Sequence, residues 1–569
     1  MVYILGIHND EDSGVALLKD GLILEAVSEE RFSRKKLNAG FPSLSLRYVL
    51  DKYRLNSSDI NHISFGWHAA DNEIEPYLLR QVDFLRRSRL DQSPLAYERY
   101  IKRLEVEIER NAKTRIRFEG NLADLGFCNS TVHYINHHLS HCYGSYSLSP
   151  FQEAYSFSFD GRGDLESSAC YFFSSEHTEK LNFELTISSL GLLYGQITAY
   201  LGFKPHRHEG KITGLSARGN PTKTRPIFDE IIKLENCSLY PNLELYNPFY
   251  KPIDSNLASQ LSNHSPEDVA AGLQEFTQSI ITNYITQTLE ASNVRSPVNI
   301  CLSGGVAANV LLNMHIRNLP LCKNLFVFPH MGDGGIPLGS ALYTSSQLGF
   351  SSNHAPTSMY LGPDYCSEAI LSSLSSNSSR VAYESSDAPD LEAAQCLANG
   401  SVVGWFQSRM EYGPRALCNR SILAPAVDAA INKTLNARMH RTEFMPFAPV
   451  TADTFAATAF PNIPQSSYSE YRFMTITVHA SPEFASMHPA VIHVDGTCRP
   501  QIVTQEDNPI MHRLLHSYHS LTGNTALVNT SFNSHEEPIV CSPCDAIAAL
   551  LSGIVDVLFI GNYRVTCKQ

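Results

Sequence analysis

The sequence predicts a two-part α/β protein whose first part carries one structural theme twice. Three observations lead there. Residues 2–40 read strand, turn, strand, turn, strand, and 154–174 repeat a strand, an acidic glycine-containing turn and a strand. Residues 298–328 read strand, Gly-rich turn, helix, strand, which is a βαβ unit. A Ser- and Asn-rich stretch at 351–380 then reads as a linker, and a second α/β unit follows at 381–569.

The elements follow in order. Residues 2–7 are apolar and β-prone, 8–13 are polar, and the apolar run resumes at Gly14. Asp20-Gly21 is a tight-turn pair before LILEAV. A meander with a polar, acidic tip at 9–13 resembles the opening of sugar-kinase and actin-like ATPases, where the tip lies beside nucleotide phosphates. Residues 44–55 and 93–112 have helical patterns. The turn DGRGD at 160–164 supplies a second acidic tip, so 1–350 is expected to be a duplicated ATPase core with one phosphate loop per half. Its glycines would let backbone N–H groups approach phosphate, and a carboxylate would orient Mg²⁺ or water.

Residues 265–290 form the clearest helix. Ser265 and Asp268 make a capping box, Pro266 takes the first helical position, and Val269, Leu273, Phe276, Ile280 and Tyr284 mark one apolar face. In the βαβ unit, Gly304-Gly305 precedes a helix whose free N–H groups could receive nucleotide; close packing of strand on helix also explains the pair. In the second unit, 402–406, 489–495 and 525–529 are read as strands.

Composition narrows the function. Lys plus Arg is 44 and Asp plus Glu is 57, a net charge of −13, which disfavours a nucleic-acid protein held by charge. No run of 18 apolar residues exists, so no membrane span is expected. The N-terminus reads as a strand and not a signal peptide. Thirteen scattered cysteines read as reduced thiols of a cytoplasmic protein, and the single CxxC at Cys541 and Cys544 as a loop.

Three constellations carry chemistry. His137 and His141 are four apart, one turn of helix, a metal-ligand spacing that capping or surface histidines also show. Asp333, after the strand at 325–328, is a plausible third ligand. Arg409, Arg415, Arg420, Arg438, Arg441 and Arg499 gather in the second unit. They read as an anion site, since the guanidinium fork suits phosphate and carboxylate, or else as ion pairs with Glu411 and Glu443. Asn529 to Asn533 ends a strand with short polar side chains that either line a pocket or cap a turn.

Ten segments in order resemble the NodU/CmcH carbamoyltransferases: EERFSRKK…GFP (29–42), NHHLSH (136–141), FDGRGD (159–164), HEGKITGL (208–215), SGGVAAN (303–309), GDGGIPLGSA (332–341), RMEYGPRALCNRSIL (409–423), RTEFMPFAPV (441–450), DGTCRPQ (495–501) and NTSFN…EPIV (529–540). The resemblance implies an actin-like first domain and a YrdC-like second domain. It implies that carbamoyl phosphate and ATP give carbamoyl adenylate in the second domain, and that the first transfers the carbamoyl group to a hydroxyl of a small, secondary-metabolite-like molecule such as an antibiotic. It implies metal ligands His137, His141 and Asp333 with iron as the ion, and Mg²⁺ with ATP. Asp12, Asp160, Gly161, Gly163, Glu209, Lys211, Gly214, Gly304, Gly305 and Asn309 would hold the nucleotide beside the metal. Arg415, Asn419, Arg420, Arg441, Arg499, Ser531 and Asn533 would form the adenylate site. A homodimer is reasonable for the family.

Two departures stand out. Many relatives have His-Asp at the first tip; here it is Glu11-Asp12, so Glu11 becomes a candidate base for the acceptor hydroxyl. Met439 and Met445 occupy slots that are Lys and Arg in many relatives, with Arg438 and His440 near enough to substitute. Two other readings are a tRNA threonylcarbamoyl transferase, against which the acidic balance counts, and a non-catalytic nucleotide-binding regulator. The acceptor-binding wall is expected in loops at 66–100 and 185–207.

Overall fold

The computed structural model describes all residues except 68–73, 89–92, 351–357, 442–444 and 569. The chain forms two compact units. The first comprises Met1–Leu24, Ala39–Pro42 and Leu46–Ala355; the second comprises Glu25–Asn38, Ser43–Ser45 and Pro356–Gln569. A piece of the N-terminal sequence thus groups with the second unit. Arg34 shows why: its guanidinium donates to the carbonyls of Ile539 and Pro538, both at 2.7 Å. Arg31 likewise donates to the Gly413 carbonyl at 2.8 Å.

The first unit is duplicated in topology. Strands β1 (Tyr3–His8), β2 (Gly14–Lys19), β3 (Leu22–Ser28), β4 (His62–Phe65) and β5 (Thr131–Tyr134) form a sheet of order β3-β2-β1-β4-β5. Strands β6 (Ala154–Gly163), β7 (Glu166–Phe173) and β8 (Thr178–Leu185) open a second sheet, and a hairpin of β9 (Ile232–Glu235) and β10 (Ser238–Pro241) stands apart. With β11 (Val298–Ser303) and β12 (Cys322–Val327) the second sheet has the order β12-β11-β6-β7-β8. Each sheet is an antiparallel three-strand meander whose first strand carries two further parallel strands. The meanders need only tight turns, whereas the parallel additions need crossovers, which the helices supply.

Glycines let these layers close up. A Cβ on Gly339 would stand 2.1 Å from the Ser140 carbonyl oxygen, so the helices His137–Leu148 and Ile336–Gln347 meet backbone to backbone. The helix Pro266–Ala291 keeps half of the expected capping box: Ser265 Oγ accepts the Asp268 N–H at 3.2 Å, while the Asp268 carboxylate turns to the Asn220 N–H and Lys223; Val269, Leu273, Phe276, Ile280 and Tyr284 are buried.

The second unit is built on an eight-stranded sheet. Its strands are β13 (Val381–Ser385), β14 (Val403–Phe406), β15 (Arg420–Pro425), β16 (Ala448–Ala452), β19 (Gln501–Val503), β20 (Ala526–Ser531), β21 (Val557–Ile560) and β22 (Tyr563–Cys567), in the order β13-β22-β21-β14-β15-β20-β16-β19. A separate pair joins β17 (Val478–His479) to β18 (Thr497–Cys498). Trp405 and Phe559 pack with Leu514 and Tyr518 of the helix Pro509–Thr522 to make its core.

Several expectations need correction. Residues 489–495 are not a strand: Pro489–Val491 is a 3₁₀ turn, since proline has no N–H for a ladder, and Val494 is exposed. Of the linker at 351–380, residues 351–357 lie outside the described residues, and Ser367–Ser376 is a helix with Ile370 and Leu374 buried one turn apart. The stretches 66–100 and 185–207 are largely helical where described, with helices at Ile74–Ser88, Pro94–Asp124 and Leu190–Tyr200. All thirteen cysteines are free, Cys541 and Cys544 among them. Among the described residues no helix is long and apolar enough to cross a membrane.

Candidate functional site

In the first unit, the helix His137–Leu148 starts where two side chains hold its first turn. Asn136 Oδ1 accepts the Leu139 N–H at 2.9 Å, a standard N-cap. Asp164, at φ 54°, reaches back from the turn after β6 and accepts the His137 N–H at 2.9 Å. Gly163 lies under the His137 ring, where a Cβ would come within 1.9 Å of its Cδ2. This turn therefore needs glycine because the imidazole occupies the place of a side chain.

The helix presents His137 and His141 on one face, fully buried, to Asp160 at the end of β6 and Asp333 after β12. The four donor atoms lie within 4.8 Å of one another. His141 Nε2 is 3.1 Å from Asp160 Oδ2 and 3.5 Å from Asp333 Oδ1; His137 Nε2 is 3.8 and 3.6 Å from the same oxygens. Yet neither nitrogen, nor Asp160 Oδ2, has a hydrogen-bond partner of acceptable angle. Buried polar atoms left so are rare unless something else completes them. Two imidazoles and two carboxylates converging in this way fit a divalent cation.

The electrostatics agree. Burial alone would strip the proton from His141, but Asp160 and Asp333 outweigh it and raise the imidazole to about 9. Burial, with the charge of Asp160, pushes Asp333 up to about 7. Burial holds His137 well below its ordinary value. Asp160, which burial would raise, is driven well below the carboxylate range by the two histidines. The group competes for protons that a metal would displace.

Asp160 thus joins the cluster as a fourth donor, whereas the resemblance placed it on the nucleotide. His8 is a further neighbour that the reading missed: it is fully buried at the end of β1, with Nε2 3.8 Å from Asp333 Oδ2. Burial lowers it to about 4, so it is a neutral imidazole. Glu11, the candidate base, turns its carboxylate to His206 Nδ1 at 3.3 Å, and His206 packs on the Tyr250 ring at 4.2 Å.

The remaining loops fall around this cluster. Gly161 N donates to Asp160 Oδ1 at 2.6 Å, and Asp160 Oδ1 lies 3.2 Å from a Cβ built on Gly305. Gly304, at φ 84°, lies against the Phe159 carbonyl. Asp12, also left-handed at φ 56°, reaches Gly334 beside Asp333. Glu209 opens the helix Glu209–Ser216, which buries Lys211 and Gly214, and its Oε1 accepts the His206 N–H at 2.6 Å. Asn309 caps the helix Val310–Arg317 and bonds Gln274 at 2.8 Å.

In the second unit the arginines divide into two kinds. Arg415 and Arg499 are half-buried with no carboxylate partner among the described residues, and the Nε of each is buried without a hydrogen-bond acceptor. Burial lowers Arg415 to about 10; burial and then the charge of Arg415 lower Arg499 well below its ordinary value. Two neighbouring half-buried cations that repel one another suit an anion. Arg441 is held by Ser531 Oγ at 3.0 Å and Asn533 Oδ1 at 2.5 Å. Glu443, named as an alternative ion-pair partner, lies outside the described residues.

Arg420 and Asn419 belong elsewhere, which corrects the expectation. Arg420 is fully buried and stacked on Phe406 at 3.6 Å, and its two terminal nitrogens donate to the carbonyls of Gln407, Asn419, Pro363 and Ser408. Asn419 donates to the Arg409 carbonyl at 2.8 Å and accepts from Asn508 at 3.1 Å. Arg409 bonds Glu25 at 3.0 Å, and Arg438 bonds Asp556 at 2.8 Å. The charge pattern could not separate these structural arginines from Arg415 and Arg499.

Comparison with known proteins fits this division. Residues 3–342 match the family model described as "Carbamoyltransferase N-terminus", and 394–567 match "Carbamoyltransferase C-terminus". "Nodulation protein NolNO" of Sinorhizobium fredii is 31% identical, over 97% of this chain and 78% of that protein. The "3'-hydroxymethylcephem-O-carbamoyltransferase" of Amycolatopsis lactamdurans is 28% identical, over 63% of this chain and 65% of that protein. Likeness to solved structures is slight: HypF of T. kodakarensis, 12% identical over 61% of this chain and 48% of that one, gives a TM-score of 0.37. With both halves matched over most of its length, the chain belongs to the carbamoyltransferase family.

Proposed function

We propose that this carbamoyltransferase is ATP-dependent and works in two half-reactions, one in each unit. The first unit is read as actin-like and the second as YrdC-like. In the second unit, carbamoyl phosphate is hydrolysed to carbamate and phosphate. A carbamate oxygen then attacks the α-phosphorus of ATP, and pyrophosphate is displaced, giving carbamoyl adenylate. In the first unit the acceptor hydroxyl attacks the carbamoyl carbon, its proton passes to a base, and AMP leaves.

The single observation that carries this reading is the buried group of His137, His141, Asp160 and Asp333, with unpartnered ligand atoms facing one another. A bound divalent ion, iron by the family resemblance, would supply Lewis-acid polarisation there. The chain's own residues do the rest. Asp164 and Asn136 orient the ligand helix. Gly163 makes room for the His137 ring and Gly304 for the Phe159 carbonyl, which leaves Gly161 and Gly305 as the glycines offered to the phosphate of the adenylate. The Glu11–His206 pair, carboxylate to Nδ1 at 3.3 Å, is the candidate acceptor of the hydroxyl proton. In the second unit Arg415 and Arg499, with Arg441 steadied by Ser531 and Asn533, offset the negative charge gathered when two phosphorylated substrates meet. Met439 is fully buried.

The test is pyrophosphate release from ATP by purified protein, with and without carbamoyl phosphate and without acceptor. Release that depends on carbamoyl phosphate is expected. Release indifferent to it, or none in protein that binds ATP, overturns the adenylating half-reaction.

A further inference from the structure

The helix Pro509–Thr522 of the second unit carries three histidines that neither half-reaction uses, His512, His516 and His519. His512 and His516 are four apart, so one turn of helix sets them on the same face. Their ring centroids lie 4.6 Å apart. Both are half-buried, within reach of solvent and of a neighbouring element.

That element is the short helix Asp453–Ala459. Asp453, its first residue, brings Oδ1 to 3.0 Å from His512 Nε2. Thr454 Oγ1 meets His516 Nε2 at 3.1 Å. Both imidazoles therefore turn the same nitrogen toward the first turn of one facing helix. His519 stands aside from them. Its Nδ1 is committed to the Asn524 carbonyl at 3.2 Å, and its ring packs at 4.6 Å on Phe455, which His516 meets at 5.0 Å.

Two imidazoles from one helix turn and a carboxylate from a second element are a donor set for zinc, with water in the fourth position. Such ligands bind deprotonated. Burial, and then the charge of His512, lower the His516 imidazole below its ordinary value, which favours its neutral form. The set differs from the first-unit group in one respect. There the four donors already lie within 4.8 Å of one another. Here the Thr454 hydroxyl holds His516 to one side of Asp453, in a neutral hydrogen bond that a metal bond can replace.

We propose that His512, His516 and Asp453 form a second metal site, for zinc, which ties the helix Pro509–Thr522 to the helix Asp453–Ala459. The chelate closes when the His516 ring rotates from Thr454 toward Asp453. Because its donors converge only on binding, the site is weaker than the first-unit group and fills when zinc is added. It is a cross-link within the second unit, separate from Arg415, Arg441 and Arg499, and it stands independently of the carbamoyl-transfer reading.

The probe is Zn²⁺ alone, titrated into full-length His141→Ala protein in competition with a chromogenic chelator. That background weakens the first-unit group, and the readout is the part of zinc binding that second-unit substitutions remove. One saturable zinc is expected to depend on the second unit. His512→Ala and His516→Ala should each weaken it by at least the roughly 10–100-fold that outer partners of metal ligands carry. Asp453→Asn should weaken it several-fold, and His519→Ala should leave it unchanged. Zinc binding that is the same with and without His512 and His516, or that falls equally in His519→Ala, overturns the site.

Two further variants keep the test independent of folding and of the resting hydrogen bonds. His516→Gln retains a hydrogen-bonding group for Thr454, so without zinc it should unfold at the same urea concentration as its parent while losing zinc as His516→Ala does. Zinc affinity kept in His516→Gln would remove His516 from the site. Thr454→Val frees His516 from its resting partner and should tighten zinc. Weaker zinc in Thr454→Val would overturn the rotation by which the chelate closes.

Discussion

Asp164 Oδ2 accepts the backbone N–H of His137 at 2.9 Å, so the hairpin tip that supplies Asp160 also fixes the helix that supplies both histidines. The donors therefore move as one body. Outer partners of metal ligands typically carry about 10–100-fold in metal affinity. Asp164→Ala should weaken metal binding by that order, measured by competition with a chromogenic chelator. Asp164→Asn should lose less, since asparagine tolerates φ 54° and keeps an acceptor oxygen. Equal affinity in Asp164→Ala and wild type would refute the coupling.

Gly163 offers a sharper probe of the same corner. A Cβ there would stand 1.9 Å from His137 Cδ2, and the ring, wedged between Trp67 and His141, has nowhere to retreat. Gly163→Ala should fold, because the strain is local, but contain little metal by elemental analysis. Full metal content would mean that His137 is not a ligand.

Metal removal should destabilise the protein. An ion bound only by the folded state adds about 2.7 kcal/mol at a concentration 100 times its Kd. Chelation should therefore lower Tm by a few degrees, and the drop should vanish in His141→Ala, which has already lost a donor. A wild-type Tm indifferent to exhaustive chelation would argue against a resident cation at this group.

The two kinds of arginine in the second unit should respond oppositely. Arg420→Ala takes a donor from four carbonyls, of which Asn419 and Pro363 keep the backbone N–H groups of Gln407 and Met410; the other two cost about 1–3 kcal/mol each, so a loss of about 2–6 kcal/mol is expected in urea unfolding. Arg499→Ala relieves repulsion from Arg415, so stability should hold or rise. Pyrophosphate release should meanwhile fall by about 100-fold or more, the usual loss when a donor to a developing anion is removed.

How much of this was legible in the sequence depends on the range of the interaction. The duplicated sheets were readable because hairpin tips are local: polar residues at 9–13 and DGRGD at 160–164 interrupt apolar strands, and period and turn chemistry need no tertiary knowledge. His137 and His141 were readable from helical spacing. Arg420 was not, because a guanidinium aimed at carbonyls and one aimed at an anion look alike until the backbone is folded. The grouping of Glu25–Asn38 with the second unit was equally hidden, since Arg34 finds its carbonyls about five hundred residues away. Residues 489–495 failed for a local reason that could have been weighed: a proline opens the run and an Asp-Gly pair follows it. The burial of Arg103 and Glu107 on the helix Pro94–Asp124 was hidden too, because a helical pattern does not say which charged residues folding turns inward.

The division of labour between units makes the last prediction. His137 lies in the first unit, whereas Arg415, Arg441 and Arg499 lie in the second. If the adenylate is made at the arginines and consumed at the metal-ligand group, His137→Ala should abolish carbamoyl transfer and leave carbamoyl-phosphate-dependent pyrophosphate release near the wild-type rate. Arg499→Ala should abolish both, because transfer needs the adenylate; supplying synthetic carbamoyl adenylate should then restore transfer in Arg499→Ala but not in His137→Ala. That crossed rescue is demanding. A merely unfolded variant fails both arms, a positioning defect slows one without losing it, and only two separate centres give rescue in one variant alone. Loss of pyrophosphate release in folded His137→Ala would place both half-reactions at one centre and overturn the assignment of the arginines.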